Sequence, residues 1–279
     1  MENKRFWTRK KIICLSTAVI LILLAAAALD SRLLVQQYTI EAEEITAPVR
    51  LVLVTDLHSC KYGDNQEELI RAVEEQKPDM VLLGGDIFDD QLPTENTEVF
   101  LQAIAAEYPC YYVAGNHEYW AGERAFASMA AFMENCGIRI LKGDAEQVEV
   151  KGQVLYICGA DDPDNFRRVL METQLESMKR SAADNGYTIL LSHRPEYFDM
   201  YIDYGFDLVL SGHAHGGQWR IPFLINGVYT PDQGFFPDWA GGLYRKENTT
   251  MIVSRGLARE STGIPRIFNR PELVVVDLQ

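Results

Sequence analysis

A chain of 279 residues with 47% hydrophobic and 24% charged side chains can bury a sizeable core, which excludes a disordered chain and leaves room for one large domain plus an appendage. Its net charge of −14 is unevenly spread: the first 34 residues carry six basic and two acidic side chains, net +4, leaving −18 for the rest. So acidic a body repels polyanions and argues against nucleic acid as a partner, while a small phosphate stays open because bound cations reverse the field locally.

The first predicted element is an apolar helix. Lys4, Arg5, Arg9, Lys10 and Lys11 precede an uncharged run from Ile12 to Leu29, 18 residues long. As a helix that run spans roughly 27 Å, close to the apolar thickness of a bilayer. It exceeds the apolar core of about 7–15 residues usual in a cleaved signal peptide, although Ala25–Ala28 offers a small-residue cleavage site. Residues 1–34 are therefore expected to be a cytoplasmic stub and single-pass signal anchor. The basic flank places the N-terminus in the cytoplasm and the rest on the extracytoplasmic side of the cell membrane. Residues 35–48, with a Glu-rich patch, are expected to be a linker, and 49–279 the catalytic domain.

From Val49 onward short apolar runs alternate with helix-like stretches. Val49–Val54, Met80–Leu83, Cys110–Val113, Val154–Cys158, Thr188–Leu191 and Leu208–Leu210 are too short for helices and read as buried strands. Gln66–Gln76, Asn96–Glu107, Glu123–Asn135 and Gln174–Ala183 read as helices between them. Further strands are expected at Met251–Val253 and Leu273–Asp277. This alternation predicts an α/β domain with largely parallel pairing. Cysteines at 14, 60, 110, 136 and 158 include no Cys-x-x-Cys pair, which argues against a thiolate zinc site and leaves their pairing open.

In open α/β sheets ligands gather at the carboxyl ends of strands. Those ends read Thr55-Asp56-Leu57-His58, Gly84-Gly85-Asp86-Ile87-Phe88-Asp89, Gly115-Asn116-His117-Glu118, Ser192-His193 and Gly212-His213-Ala214-His215-Gly216-Gly217. All five histidines of the chain fall there and none elsewhere, a distribution that structural histidines do not explain. Asp56 and His58, like His213 and His215, are two apart, so on extended backbone each pair would face one centre. Imidazole with carboxylate suits Zn²⁺, Mn²⁺ or Fe. Asp56, His58, Asp86, Asn116, His117, His193, His213 and His215 exceed the needs of one four-coordinate ion, so two divalent metal ions fit better.

Asp-x-His, Gly-Asp-x-x-Asp, Gly-Asn-His-Glu, a lone His and Gly-His-x-His, in this order, resemble the calcineurin-like metallophosphoesterase superfamily from about Val49 to the C-terminus. With Ser211–Gln218, Ser254-Arg-Gly-Leu257 and the N-terminal apolar run, the chain is similar to a bacterial membrane-associated branch, some of whose members are assigned to UDP-2,3-diacylglucosamine hydrolysis. The resemblance implies a four-layer α/β/β/α sandwich of two mixed sheets. It also implies one metal on Asp56, His58, Asp86 and His215, with Asp86 bridging to a second held by Asn116, His193 and His213. His117 would face the leaving group as proton donor, and Asp89 would be a supporting carboxylate. Where the family commonly has Asp after Gly-Asn-His, this chain has Glu118, which would have to orient His117 with a longer arm; Asp90 has no counterpart role.

Such a centre acidifies water and clamps phosphate oxygens for in-line attack. The expected activity is hydrolysis of a phosphodiester or pyrophosphate, on a lipid-linked or nucleotide-containing phosphoester near the membrane. The alternative is a non-catalytic metal-binding scaffold, which should have lost ligands, yet all eight positions are filled. A metallo-β-lactamase-type centre would need a His-x-His-x-Asp-His run that the sequence lacks. The aromatic and apolar segment Trp219–Phe236 reads either as an acyl-binding mouth or as a buried structural loop. Arg194, Arg255 and Arg259 lie near motif blocks as phosphate-binding candidates, against the commoner reading of ion-paired arginines.

Overall fold

A computed structural model describes residues 3–163, 168–182, 186–259 and 263–279. Ala183, the expected end of the fourth helix, lies outside them. The elements in order are α1 (Asn3–Ala28), β1 (Leu34–Ile40), β2 (Val49–Val54), α2 (Glu67–Glu74), β3 (Met80–Gly84), α3 (Glu95–Glu107), β4 (Cys110–Val113), α4 (Asn116–Trp120), α5 (Glu123–Asn135) and β5 (Arg139–Ile140). They continue with β6 (Asp144–Val150), β7 (Gln153–Ala160), α6 (Arg168–Ser181), β8 (Tyr187–Ser192), α7 (Phe198–Asp203), β9 (Leu208–Ser211), β10 (Tyr229–Thr230), β11 (Gly234–Phe235), β12 (Gly242–Lys246), β13 (Thr249–Val253) and β14 (Glu272–Leu278).

Two six-stranded sheets run β1-β14-β2-β3-β4-β5 and β12-β13-β9-β8-β7-β6. Their pairing is parallel except for β14 with β2, β12 with β13 and β6 with β7, so both are mixed, as expected. Every strand at the middle of a sheet is apolar on both faces, and alternation assigns each side chain to a layer. Leu51 and Leu53 of β2 face the other sheet, packing with Leu82, Ile157, Ile189 and Leu210. Val52 and Val54 face outward, onto a cluster with Leu69, Phe100, Ile104 and Met133 from α2, α3 and α5. On the far side of the second sheet Leu190 and Val209 meet Leu175, Met178, Phe198 and Tyr201 from α6 and α7. Helices, two sheets and helices thus make four layers.

Three differences from expectation concern edges and helix starts. Residues 35–40 of the expected linker, together with Leu34 at the end of the expected anchor segment, form β1, paired parallel to β14 from Leu34 opposite Glu272 to Ile40 opposite Leu278. An edge strand with one exposed face and a Gln36-Gln37 pair carries little apolar signal. The edge strands β6 and β12, both polar, are hidden for the same reason. The sixth helix starts at Arg168, ahead of the expected Gln174.

Residues Thr8–Ala28 of α1 form a helix long and apolar enough to cross a membrane, and residues 8–27 are all exposed. At about 1.5 Å per residue these 21 residues span roughly 31 Å. Where the helix ends, the Phe268 N–H donates to the Ala28 carbonyl at 2.7 Å.

Candidate metal centre

The carboxyl ends of β2, β3, β4, β8 and β9 converge, and with them the expected side chains. Ligand atoms of Asp56, His58, Asp86 and His215 lie within 4.8 Å of one another, and so do those of Asp86, His193 and His213. Asp86 belongs to both groups. Asn116 sits beside them at the first residue of α4, its Oδ1 buried and without a hydrogen-bond partner. His117 is at the rim, a quarter exposed, its ring edge-on to His58 with centroids 4.4 Å apart. All eight expected residues are therefore brought together.

Asp56 and His58 share one ligand group as expected, whereas His213 and His215 do not, and neither pair gets there by the extended backbone of the i, i+2 argument. The backbone there is not extended: φ is 51° at Asp56, 47° at His58, 52° at Asp86, 63° at His213 and 45° at His215. These are left-handed conformations that cost an L-residue roughly 1–2 kcal/mol each and persist only where surrounding contacts dictate them. They bend each strand end over the sheet edge, so His213 and His215 enter different ligand groups. Close approach also demands missing side chains. Gly256, at φ 70°, packs where a Cβ would stand 2.6 Å from the Asp56 Cβ, which gives the Ser254-Arg-Gly-Leu257 segment its place under the first ligand.

The buried polar atoms ask for a cation. His58 Nδ1 lies 3.0 Å from Asp89 Oδ2 and His193 Nδ1 lies 2.8 Å from the Gly84 carbonyl, so each Nδ1 donates and each Nε2 presents a lone pair. Both Nε2 atoms and Asp56 Oδ2 are buried without hydrogen-bond partners. His193 Nε2 stands 3.1 Å from Asp86 Oδ2, a contact that needs a positive charge between the two atoms, either a proton or a metal ion. His213 Nε2 is taken by Asp232 Oδ2 at 2.5 Å, leaving Nδ1 for the centre. Buried oxygen and imidazole donors with nothing to bind fit divalent metal ions.

The electrostatics agree. Burial pushes the His193 ring down, but the facing Asp86 charge outweighs it and lifts its pKa to about 10. Burial pushes Asp86 up, and the surrounding imidazoles outweigh that and hold it well below the usual carboxylate range. His58 is likewise raised, the Asp89 bond and the Asp86 charge overcoming its burial. The site is a field built for cations.

Glu118 corrects one expectation. It does not reach His117. Its Oε2 accepts the backbone N–H of Asp86 (3.0 Å) and Gly115 (2.9 Å), and its Oε1 those of Ile87 (2.7 Å) and Phe88 (3.0 Å). It locks the loop after β3 against the start of α4. Burial, with the Asp86 charge added, raises its pKa to about 7. The orienting carboxylate is Asp90, whose Oδ1 lies 2.6 Å from His117 Nδ1.

Sequence reasoning missed Asp162, Asp232 and Arg266. Arg194 is buried and held by Asp162 (Nε to Oδ2 2.6 Å, Nη2 to Oδ1 3.1 Å) and Asp232 (2.8 Å), and its Nη1 lies 3.0 Å from His213 Nε2. It is thus spent on protein partners, as is Arg255, held by Asn226 and Glu272. Glu196, His213 and Asp232 also cluster, but Arg194 already supplies the positive charge there. Asp162 follows the end of β7, so the strand-end rule could have found it. Asp232 and Arg266, on irregular loops, carry no such signal.

Residues 49–217 match the calcineurin-like phosphoesterase family. The chain belongs to that family. An uncharacterized metallophosphoesterase of Aquifex aeolicus is 31% identical over 259 residues, covering 88% of this chain and 91% of the relative. Phosphodiesterase YaeI of Escherichia coli is 27% identical over 236 residues, covering 83% of each. Among solved structures, TT1561 of Thermus thermophilus shares the fold at a TM-score of 0.50 and 11% identity, over 76% of this chain and 92% of that one. As a calcineurin-like phosphoesterase, the protein is a metal-dependent phosphoester hydrolase, and it clusters carboxylates and imidazoles that could hold a metal ion.

Proposed function

We propose that the protein uses two divalent cations to hydrolyse a phosphodiester or pyrophosphate bond of a lipid-linked or nucleotide-containing substrate at a membrane surface. The observation that carries this reading is the sharing of Asp86 between two ligand groups. One cation would rest on Asp56, His58, Asp86 and His215, the other on Asp86, Asn116, His193 and His213. Manganese, zinc and iron suit such mixed ligands. Divalent cations supply the charge that polarises a phosphoryl group and acidifies water.

The chain's own residues do the rest. Asp86 stays ionised between the two groups. Asp89 and the Gly84 carbonyl fix the tautomers of His58 and His193. His117, free of both groups and tethered by Asp90, donates a proton to the leaving oxygen. The apolar α1 supports an anchor that keeps the domain beside the membrane, on the extracytoplasmic side by the charge of its flank.

The test is the full chain in mild detergent, reconstituted with Mn²⁺ and assayed on a chromogenic phosphodiester beside Asp86→Asn. The expected result is about two ions per chain, turnover, and loss of both in the variant. One ion per chain would refute the binuclear reading. Two ions with no turnover on any ester would favour a metal-binding scaffold.

A further inference from the structure

Three features meet at the foot of α1. The first is a clamp made by Arg259 and residues 263–270. Besides the Phe268 bond to Ala28, Arg259 Nη2 donates to the Ser31 carbonyl, and Arg270 donates to the Arg32 and Leu33 carbonyls, each at 2.9 Å. The same segment touches the metal centre, because Arg266 Nη2 lies 3.5 Å from His215 Nδ1.

The second is a cavity of about 470 Å³ lined by Leu29, Ser31, Arg32, Arg259 and Arg266. Arg266 is buried, and among the described residues it bonds carbonyl oxygens of Arg255 and Ala258 beside its contact with His215. Among the described residues no carboxylate lies within 4 Å of its guanidinium. Arg259 lies over the Tyr62 ring at 4.0 Å, and its buried Nε has no partner among the described residues. Arg259 is shared with Glu68 (Nη2 to Oε1 3.5 Å) and Arg32 with Asp30 (Nη2 to Oδ2 2.8 Å), so it is the buried Arg266 guanidinium, facing no carboxylate among the described residues, that calls for an anion.

The third is an apolar loop. Phe223 is fully exposed and Leu224 82% exposed, with Trp219 and Ile221 nearly half exposed beside them. The segment expected either to line an acyl mouth or to be buried is therefore open at its tip. Arg220 N–H donates to the Ile267 carbonyl (3.0 Å) and Trp219 Nε1 to the Pro265 carbonyl (2.9 Å). That ties the loop to the segment that clamps α1. Apolar residues so exposed mark an interaction surface.

We propose that this face rests on a bilayer leaflet, the arginine cavity holding the phosphate of an anionic lipid headgroup while Phe223 and Leu224 dip among the acyl chains. This rests on the anchor reading of α1. Charge selects the occupant: residues 35–279 carry −18, yet the cavity is lined by Arg32, Arg259 and Arg266 with no carboxylate, and only the first two are paired, with Asp30 and Glu68, which leaves it positive. An acidic body that repels an anionic surface overall would meet it through this positive cavity. Since Arg266 borders both cavity and His215, a lipid phosphoester would pass from leaflet to metal centre without crossing bulk water.

The test uses the full chain in mild detergent, mixed with phosphatidylglycerol, phosphatidylcholine or inorganic phosphate, and native mass spectrometry to count bound lipid. At least fivefold preference for phosphatidylglycerol over phosphatidylcholine is expected, falling to no preference in Arg259→Gln and in Arg32→Gln, whose side chain is 81% exposed and safe for folding. Equal retention of the two lipids, retention unchanged in both variants, or displacement by millimolar phosphate would overturn the headgroup site. In vesicles, acyl-brominated lipid should quench wild-type fluorescence more than that of Trp219→Phe; an equal response would overturn the membrane face. Retention is read without turnover, so Asp86→Asn should bind lipid as the wild type does, and a failed phosphoesterase reading would leave that result standing.

Discussion

Asp90→Ala removes the carboxylate that holds His117. The bond is short, 2.6 Å, and joins an imidazole to an ionisable oxygen, the stronger class of hydrogen bond, worth roughly 1.5–3 kcal/mol. Both partners are partly open to solvent, 25% and 18% exposed, which reduces the figure to about 1–2 kcal/mol. If His117 delivers its proton only from this orientation, kcat falls about 5- to 30-fold. Asp89, 3.8 Å from the same nitrogen, is too far to replace the bond. The assay is steady-state hydrolysis of a chromogenic diester with Mn²⁺, alongside metal analysis. Metal content should not change, since Asp90 belongs to neither ligand group. Adding Asp90→Ala to His117→Ala should cost nothing further, because the two act as one unit. An unchanged kcat, or an equal further loss in the double variant, would refute the reasoning.

Glu118→Ala strands four buried N–H groups at roughly 1 kcal/mol each, offset by about 1 kcal/mol from removing a buried carboxyl. The net of about 3 kcal/mol should lower Tm by about 6–12 °C in calorimetry of the metal-free protein, and an unshifted Tm would contradict the locking role. Gly256→Ala places a methyl 2.6 Å from the Asp56 Cβ at φ 70°, so metal affinity should fall at least tenfold in titration calorimetry; wild-type affinity would show that the strand ends can give way. The pH dependence has a definite sign. His193 is raised to about 10, so below that pH a proton occupies the ring and an incoming cation must displace it. Apparent Mn²⁺ affinity should therefore climb about tenfold per pH unit between pH 6 and 8, and a flat profile would exclude this competition.

Much of the centre was legible because parallel strands put their carboxyl ends on one edge, so Asp56, Asp86, Asn116, His193 and His213 are neighbours whatever the details of the loops. The inner strands were legible because burial on both faces leaves unbroken apolar runs such as Val49–Val54. The edge strand β1 was not, since one solvated face and a neighbour 238 positions away in β14 leave only a weak local pattern. Nor was the direction of each ligand: five of them sit in left-handed conformations imposed by tertiary contacts, which undo a two-residue periodicity. The exchange of roles between Glu118 and Asp90 has the same origin. Both carboxylates lie near His117 in sequence or in space, and only the packing of α4 against the loop after β3 decides which one meets four amides and which one meets the imidazole. Residue type and order determined which chemistry the chain carries; the distances that assign each side chain its partner arose only when segments far apart in sequence were packed together.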